Sequence, residues 1–308
     1  MPCLPASRIG ARVTPRAESR PRATLRPTGA HRHAGDTARR TPWVTGLFPQ
    51  VNRAAPALVP RPDGAVRNKP AGSWGSRWRY LHESTEGHDM KIGIIGAGNI
   101  GGNLTRRFTA VGHDVRVANS RGPQTLTALA EETGATPATI EDAVRDAEVV
   151  VVTVPLKAVP DLPEGFLDGA ADGVTVIDTG NYYPQQRDGK IAEIEDGLTE
   201  SRWTERQIGH PVVKAFNGTF AQDILDKPRP AGDPARIALP LSGDDAAAKR
   251  TVTELLDEIG FDAVDNGGQD ESWRQQPGTP VYGLAADAAA VRKALEAASP
   301  ERTAEWRA

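Results

Sequence analysis

The chain has 308 residues, 38% of them hydrophobic, and a net charge of −3, enough for one large domain or two modest ones. Its single cysteine, Cys3, excludes a disulfide framework, a cysteine-based zinc cluster or a thiol nucleophile from the rest of the chain. The near-neutral total hides an asymmetry: residues 1–89 hold 15 Lys/Arg against 6 Asp/Glu, whereas residues 90–308 hold 22 against 34.

Residues 1–89 are rich in Arg, Pro and Ala and show no sustained amphipathic period. A basic segment of this kind raises the question of a nucleic-acid arm or a targeting peptide. Its best apolar run, Trp43 to Pro60, is interrupted by Pro49, Asn52, Arg53 and Pro56, too broken for a signal core or a membrane span. Arg39-Arg40 is followed by no clean apolar core. The expectation is a disordered extension or translated upstream sequence, with no nucleic-acid or membrane partner and a cytoplasmic location. Trp43, Trp74 and Trp78 have no account in this reading. The chain's second methionine, Met90, stands immediately before the pattern that opens the ordered domain, 90–308.

Lys91 to Ile95 is a short apolar run with β-branched residues, as a buried parallel strand needs. Gly96, Gly98 and Gly101 follow as G-x-G-x-x-G, with Ala97, Asn99 and Ile100 between them. In a strand-to-helix turn the first glycine permits the turn, the second lets a pyrophosphate approach the backbone, and the third lets helix and strand pack closely. The helix N-terminus offers free N–H groups and a positive dipole end to the phosphates. Gly112 closes the helix and His113 to Asn119 forms a second strand. The motif therefore sits in the strand–helix–strand context that makes it a dinucleotide site.

The end of the second strand selects the dinucleotide. An NAD site places Asp or Glu there to accept from the ribose 2′-hydroxyl. Here the residues are Asn119-Ser120-Arg121-Gly122, with no acid. Arg121 can form charge-assisted bonds to a 2′-phosphate, and Asn119 and Ser120 can donate to it. The reading is NADP(H); the alternative is that Arg121 is a solvated loop charge and the site is indifferent to the 2′-phosphate.

Pro123 opens a helix over Gln124 to Thr133 that Gly134 ends, and Ala135-Thr136 is a short strand. Thr139 caps a helix over Ile140 to Ala147, and the apolar run Glu148 to Val154 is a central parallel strand. A short helix is expected over 161–170 and another central strand over Val174 to Asp178. A helix over Leu198 to Ile208 and a strand over Val212 to Phe216 come next. The last elements are a strand over Ile237 to Leu241, a helix over Asp244 to Ile259, a strand over Phe261 to Val264 and a C-terminal helix over 284–297. Strands alternating with helices predict an α/β, Rossmann-type, doubly wound and mostly parallel sheet in a single domain, with the later strands extending the sheet.

Ligands in such sheets bind beyond the carboxyl ends of the strands. That places Thr153, Val154 and Pro155, then Thr179, Gly180 and Asn181, beside the cofactor, with Asn217 next to them. Lys214 lies inside an apolar strand, where a bare ammonium is costly; it either faces an acidic partner or reaches a substrate or the nicotinamide ribose. Tyr182 and Tyr183 either move a proton, wall a ring or pack. The catalytic group is not identified by the sequence; Lys214, Tyr182 and Asn217 are the candidates. Trp273, Arg274 and Gln275 offer stacking and anion recognition for a second substrate, or a loop packed on the sheet. His113 and His210 are too few for a histidine metal site.

The segments GIIGAGNIGGNL, VRVANSRGP, VVVVTVPL, VIDTGNYY, VVKAFN, LSGDDAAAK and SWRQQPGTPVYG together resemble a bacterial group of NADP-dependent oxidoreductases related to the coenzyme F-420-dependent NADP reductases. The nucleotide domain is also similar to the N-terminal half of pyrroline-5-carboxylate reductase. The resemblance runs from about Met90 to the C-terminus. It implies hydride transfer between NADP(H) and a second substrate, the deazaflavin coenzyme F-420, with the protein mainly supplying position. The loops TGNYY and SWRQQPGTPVYG depart from those of the deazaflavin reductases, which keeps a small imine or carbonyl compound open as second substrate. The late region lacks the long helical dimerisation part of pyrroline-5-carboxylate reductase, which argues against proline synthesis, and a homodimer stays open. A non-catalytic NADP(H)-binding redox sensor is the alternative from a different class.

Overall fold

The computed structural model describes residues 89–308, which lie within one compact unit. The expectation of a disordered extension lies outside the described residues.

Strand β1 (Lys91–Ile95) leads into helix α1 (Asn99–Val111), and β2 (Asp114–Ala118) returns parallel to β1, with Ile92 opposite Val115 and Ile94 opposite Val117. A 3-10 turn, Pro123–Leu126, runs into α2 (Thr127–Thr133), and β3 (Thr136–Pro137) adds to the edge beside β2. Helix α3 (Ile140–Val144) starts at Thr139, whose hydroxyl accepts from the Asp142 N–H as expected of an N-cap. Strands β4 (Val149–Val152) and β5 (Thr175–Asp178) then join the other side of β1.

Further on come α4 (Ala192–Glu195), α5 (Glu200–Ile208) and the short strand β6 (Val213–Lys214). They are followed by α6 (Asp223–Asp226), β7 (Ala238–Leu241), α7 (Ala246–Glu258), β8 (Asp262–Asp265) and α8 (Ala288–Glu296). The main sheet has the order β3-β2-β1-β4-β5-β6 with every neighbouring pair parallel. This is the doubly wound order whose direction reverses between β1 and β4, the point beyond whose carboxyl ends such sheets bind their ligands.

The strands are apolar throughout because both faces are covered. Ile92, Ile94, Val149, Val151 and Ile177 pack in one layer with Leu104, Phe108, Leu255 and Leu256 from the helices. Ile95, Val150, Val152 and Val176 point to the other face, against Ala143, Val144 and Phe166. Gly93 belongs to that second face, where α3 lies so close that a Cβ would stand 2.5 Å from the Ala143 carbonyl oxygen.

Three sequence expectations change. Residues 161–170 form a run of turns after the 3-10 segment Leu156–Asp161, because Pro160 and Pro163 remove donors and Gly165 takes a left-handed φ of +67°. The Val212 to Phe216 strand shrinks to two residues, because Phe216, at φ +62°, turns the chain away from the sheet. Strands β7 and β8 pair in parallel as a separate two-stranded sheet. They meet the main sheet through one antiparallel bridge, Lys214 with Ser242, rather than extending it.

Candidate functional site

The glycine turn is shaped by backbone crowding. Gly96 takes φ +112°, and a Cβ there would come within 2.4 Å of the Thr153 carbonyl oxygen at the end of β4. At Gly101 a Cβ would lie 1.9 Å from the Gly96 carbonyl oxygen and 2.6 Å from the Thr153 methyl. Between them, Gly98 is exposed at the start of α1, and a Cβ there would meet nothing within 4 Å. A side chain at either end is refused for lack of room, whereas at Gly98 bareness leaves open space over the helix N-terminus. No side chain caps α1 and no acid stands in its first turn. The residues fit a dinucleotide pyrophosphate, with Ala97, Asn99 and Ile100 framing the cradle.

At the end of β2, Asn119 organises the loop. Its side-chain oxygen accepts from the Arg121 N–H at 2.9 Å, and its amide donates to the Thr125 hydroxyl at 3.0 Å. Gln124 donates to the Arg121 carbonyl at 2.8 Å. Ser120 and Arg121 are exposed, and the Arg121 guanidinium makes no ion pair among the described residues. An anchored backbone carrying an uncommitted guanidinium and hydroxyl, with no carboxylate at the strand end, fits a ribose 2′-phosphate.

Across the crevice, Thr153 continues β4, its N–H donating to the Ile95 carbonyl at 2.9 Å, and Val154 and Pro155 turn the chain away. Thr179 leaves β5 with its N–H and hydroxyl both on the Val152 carbonyl. The Gly180 N–H donates to buried Asp178 at 2.8 Å, and the other Asp178 oxygen accepts from Ser201 at 2.6 Å. Thr179, Gly180 and Asn181 are thus fixed from below.

Three distant segments converge beyond these strand ends. The Asn181 amide donates to the Asn217 carbonyl at 2.8 Å, and the Asn217 amide donates to the Asn181 side-chain oxygen at 3.1 Å. The same Asn217 amide donates to the Gln275 carbonyl, and the Gln275 amide donates to the Asn217 side-chain oxygen at 3.0 Å and to the Lys214 carbonyl at 3.2 Å. The Gly283 N–H reaches the Gly218 carbonyl at 2.8 Å. The Tyr183 and Tyr282 hydroxyls hydrogen-bond to each other, and Trp306 packs against both rings at 6.0 and 6.3 Å. Burial is the main reason both phenols are held above the usual tyrosine range.

The three catalytic candidates are all enclosed. Lys214 is 0% exposed; its ammonium donates to the Gly180 carbonyl at 3.0 Å and pairs with Glu200, also 0% exposed, at 3.3 Å. Arg302 from the C-terminal segment reaches the other Glu200 oxygen at 2.9 Å. The geometry gives Lys214 the acidic partner, which holds β6 to α5. Tyr182 is fully buried, its hydroxyl accepting from the Ile191 N–H at 2.9 Å, and Asn217 is committed to the loops. Gln275 belongs to the convergence. Arg274 does not: it pairs with Glu271 at 2.6 Å, donates to the Leu295 carbonyl of α8, and lies over the Trp273 ring at 4.4 Å. Sequence reasoning also passed over Glu200, Arg302 and Tyr282. Glu200 reads as an ordinary first-turn acid of a helix, and only the inward face of α5, with Ser201 and Thr204 also buried, marks it as different.

No group of three or more metal-ligating side chains occurs among the described residues, and none of the described helices is long and apolar enough to cross a membrane. The protein SMa0349 of Sinorhizobium meliloti, known from its crystal structure, is 31% identical, with a TM-score of 0.55, and the match covers 64% of this chain and 94% of that one. The Escherichia coli protein YjhV is 41% identical over 66 residues, 21% of this chain and 48% of its own length. Erythronate-4-phosphate dehydrogenase of Salinibacter ruber is 36% identical over 97 residues, 30% of this chain and 24% of its own length. The chain therefore spans about half of one of these curated relatives and about a quarter of the other. Residues 91–182, which contain the whole glycine turn and the Asn119–Arg121 loop, match the family described as NADP oxidoreductase, coenzyme F420-dependent. With its doubly wound sheet and its open, acid-free nucleotide cradle, this chain belongs to that family of NADP oxidoreductases.

Proposed function

We propose that residues 90–308 transfer a hydride between NADP(H) and a second substrate bound over the nicotinamide, most simply the deazaflavin coenzyme F-420. In this reading Gly96 to Gly101 hold the pyrophosphate, and Asn119, Ser120 and Arg121 hold the 2′-phosphate. Thr153, Val154, Pro155, Thr179, Gly180 and Asn181 line the nicotinamide side. The observation that carries it is the convergence of the Asn181, Asn217 and Gln275 segments beside the crevice. The nicotinamide supplies the hydride; the chain supplies orientation and shields the reacting face from water. Arg274 and Trp273, paired on the α8 side, contribute packing rather than anion recognition.

A small imine or carbonyl acceptor is the second reading, favoured by the phenol pair at the same convergence. Titration with NADPH and NADH, followed by NADPH oxidation with F-420, a cyclic imine and an aldehyde, tests the proposal. Preference for NADPH with turnover of F-420 is expected. Preference for NADH, or binding of neither nucleotide, removes the NADP assignment; turnover of the imine alone replaces the deazaflavin. NADPH binding without turnover of any acceptor leaves a redox sensor. Residues 1–89 add nothing to this function in our reading, so a 90–308 chain keeps the thermal midpoint and NADPH affinity of the full chain.

A further inference from the structure

We propose that Tyr282 is the proton donor to the second substrate and that Tyr183 is the positioning residue that resupplies it. The inference rests on the hydride-transfer reading above and adds the group that completes the reaction.

Reduction of an imine, a carbonyl or a deazaflavin adds a hydride to carbon and a proton to nitrogen or oxygen. The chain must present that proton where the acceptor sits. The side chains at the converging loops narrow the choice. Lys214 is sealed against Glu200, and Tyr182 is 0% exposed, so its O–H cannot reach an acceptor. Arg187 is fixed by Asp188 and the Asn181 carbonyl, and the Thr179 hydroxyl is turned onto the Val152 carbonyl. Tyr183 and Tyr282 remain. Their hydroxyls bond only to each other among the described residues, and both side chains are half-buried.

Their neighbours distinguish the two. Trp306 lies against both rings, but only the Tyr183 ring also has the Arg187 guanidinium, 4.8 Å above it. Tyr282 precedes Gly283, which is clamped to Gly218 and lies against the Phe220 ring; a Cβ on Gly283 would stand 3.2 Å from that ring. Phe220 is 51% exposed, and among the described residues it is the large apolar side chain left open to solvent. An acceptor resting against Phe220 adjoins the Tyr282 side of the pair. Burial keeps both phenols protonated, and the acceptor becomes strongly basic as the hydride arrives. The Tyr282 O–H bond then breaks, a new N–H or O–H bond forms on the acceptor, and the phenolate takes the Tyr183 proton. Tyr183 regains its proton from water, with the Arg187 cation stabilising the transient charge. The sum is NADPH plus acceptor plus one solvent proton giving NADP⁺ and reduced acceptor.

Tyr282→Phe and Tyr183→Phe keep the rings and remove one hydroxyl each. They are compared with the parent for NADPH affinity, thermal midpoint and turnover of whichever acceptor the parent reduces: F-420, a cyclic imine or an aldehyde. Tyr282→Phe is expected to lower kcat about 100-fold, the lower bound for a general acid, with KM and NADPH affinity within about twofold of the parent (less than 0.5 kcal/mol). Its residual rate should rise with the concentration of a weak-acid buffer, a response that a packing role would not give. Tyr183→Phe should show a smaller kcat loss with the same buffer response. A Tyr282→Phe variant with parental kcat overturns the proposal. So does a loss without buffer rescue in both variants, or a parent that reduces no acceptor. Imine turnover that depends on Tyr282 while F-420 is inert would remove the deazaflavin and leave the proton donor standing.

Discussion

On the β1 side of the crevice the shape is made by backbone and by what is missing from it. Gly96 and Gly101 close on Thr153 and on each other at distances that admit no Cβ, and Asn119 bonds to residues two and six positions away. On the β5–β6 side the shape is made by side chains that meet from far apart. Asn181 and Asn217 are 36 residues apart in sequence, Asn217 and Gln275 are 58, and Tyr183 and Tyr282 are 99. Beneath them lies a wholly buried carboxylate between two cations. The difference teaches where each half is vulnerable. The glycine-turn half fails when volume is added; the β5–β6 half fails when a polar partner is removed.

The largest expected effect breaks the β5–β6 half from below. Glu200→Gln leaves the Lys214 ammonium buried without its counter-charge and costs Arg302 its ion pair, so unfolding free energy should fall by about 3–5 kcal/mol. Urea denaturation checks this, and a loss under 1 kcal/mol would show that the charge cluster is incidental. Next is Arg121→Ala, which should weaken NADPH by about 1.5–3 kcal/mol while leaving NADH nearly unchanged. Paired fluorescence titrations separate it from a general loss of the fold. Gly101→Ala forces a methyl against the Gly96 carbonyl and should cost about 1–3 kcal/mol of stability together with NADPH affinity, read by thermal unfolding and titration.

The smallest effect on the fold sharpens the contrast. Gly98→Ala meets no atom, so its stability cost should stay below about 1 kcal/mol, chiefly through the helix cap. NADPH affinity should nonetheless drop roughly tenfold, about 1.4 kcal/mol, because the methyl occupies the space over the helix N-terminus. Equal effects at positions 98 and 101 would erase the distinction between a glycine kept for ligand space and one kept for packing.

Much of the nucleotide half was legible in the residues. Strand, turn, helix and second strand occupy consecutive positions, so local rules for apolar runs and glycines act without reference to the rest of the chain. Ends of elements were less legible: Leu198 to Ile208 begins at Glu200, and 161–170 is not helical, because turns set by Pro160, Pro163 and Gly165 outweigh apolar spacing. Lys214 was ambiguous because a lysine in an apolar strand reveals the cost of burial and not the partner that offsets it.

The sequence by itself determined the class of fold, the glycine turn and the absence of an acid at the end of β2, since each depends on residues adjacent in the chain. Only the tertiary structure decided that Lys214 pairs with Glu200, that β7 and β8 form their own sheet, and that Arg274 is spent on Glu271 and α8. It alone brought Tyr183 and Tyr282 together. The reason is physical: long-range polar pairing depends on which faces of separate elements meet, and a single side chain's identity does not encode the position of the group that will satisfy it.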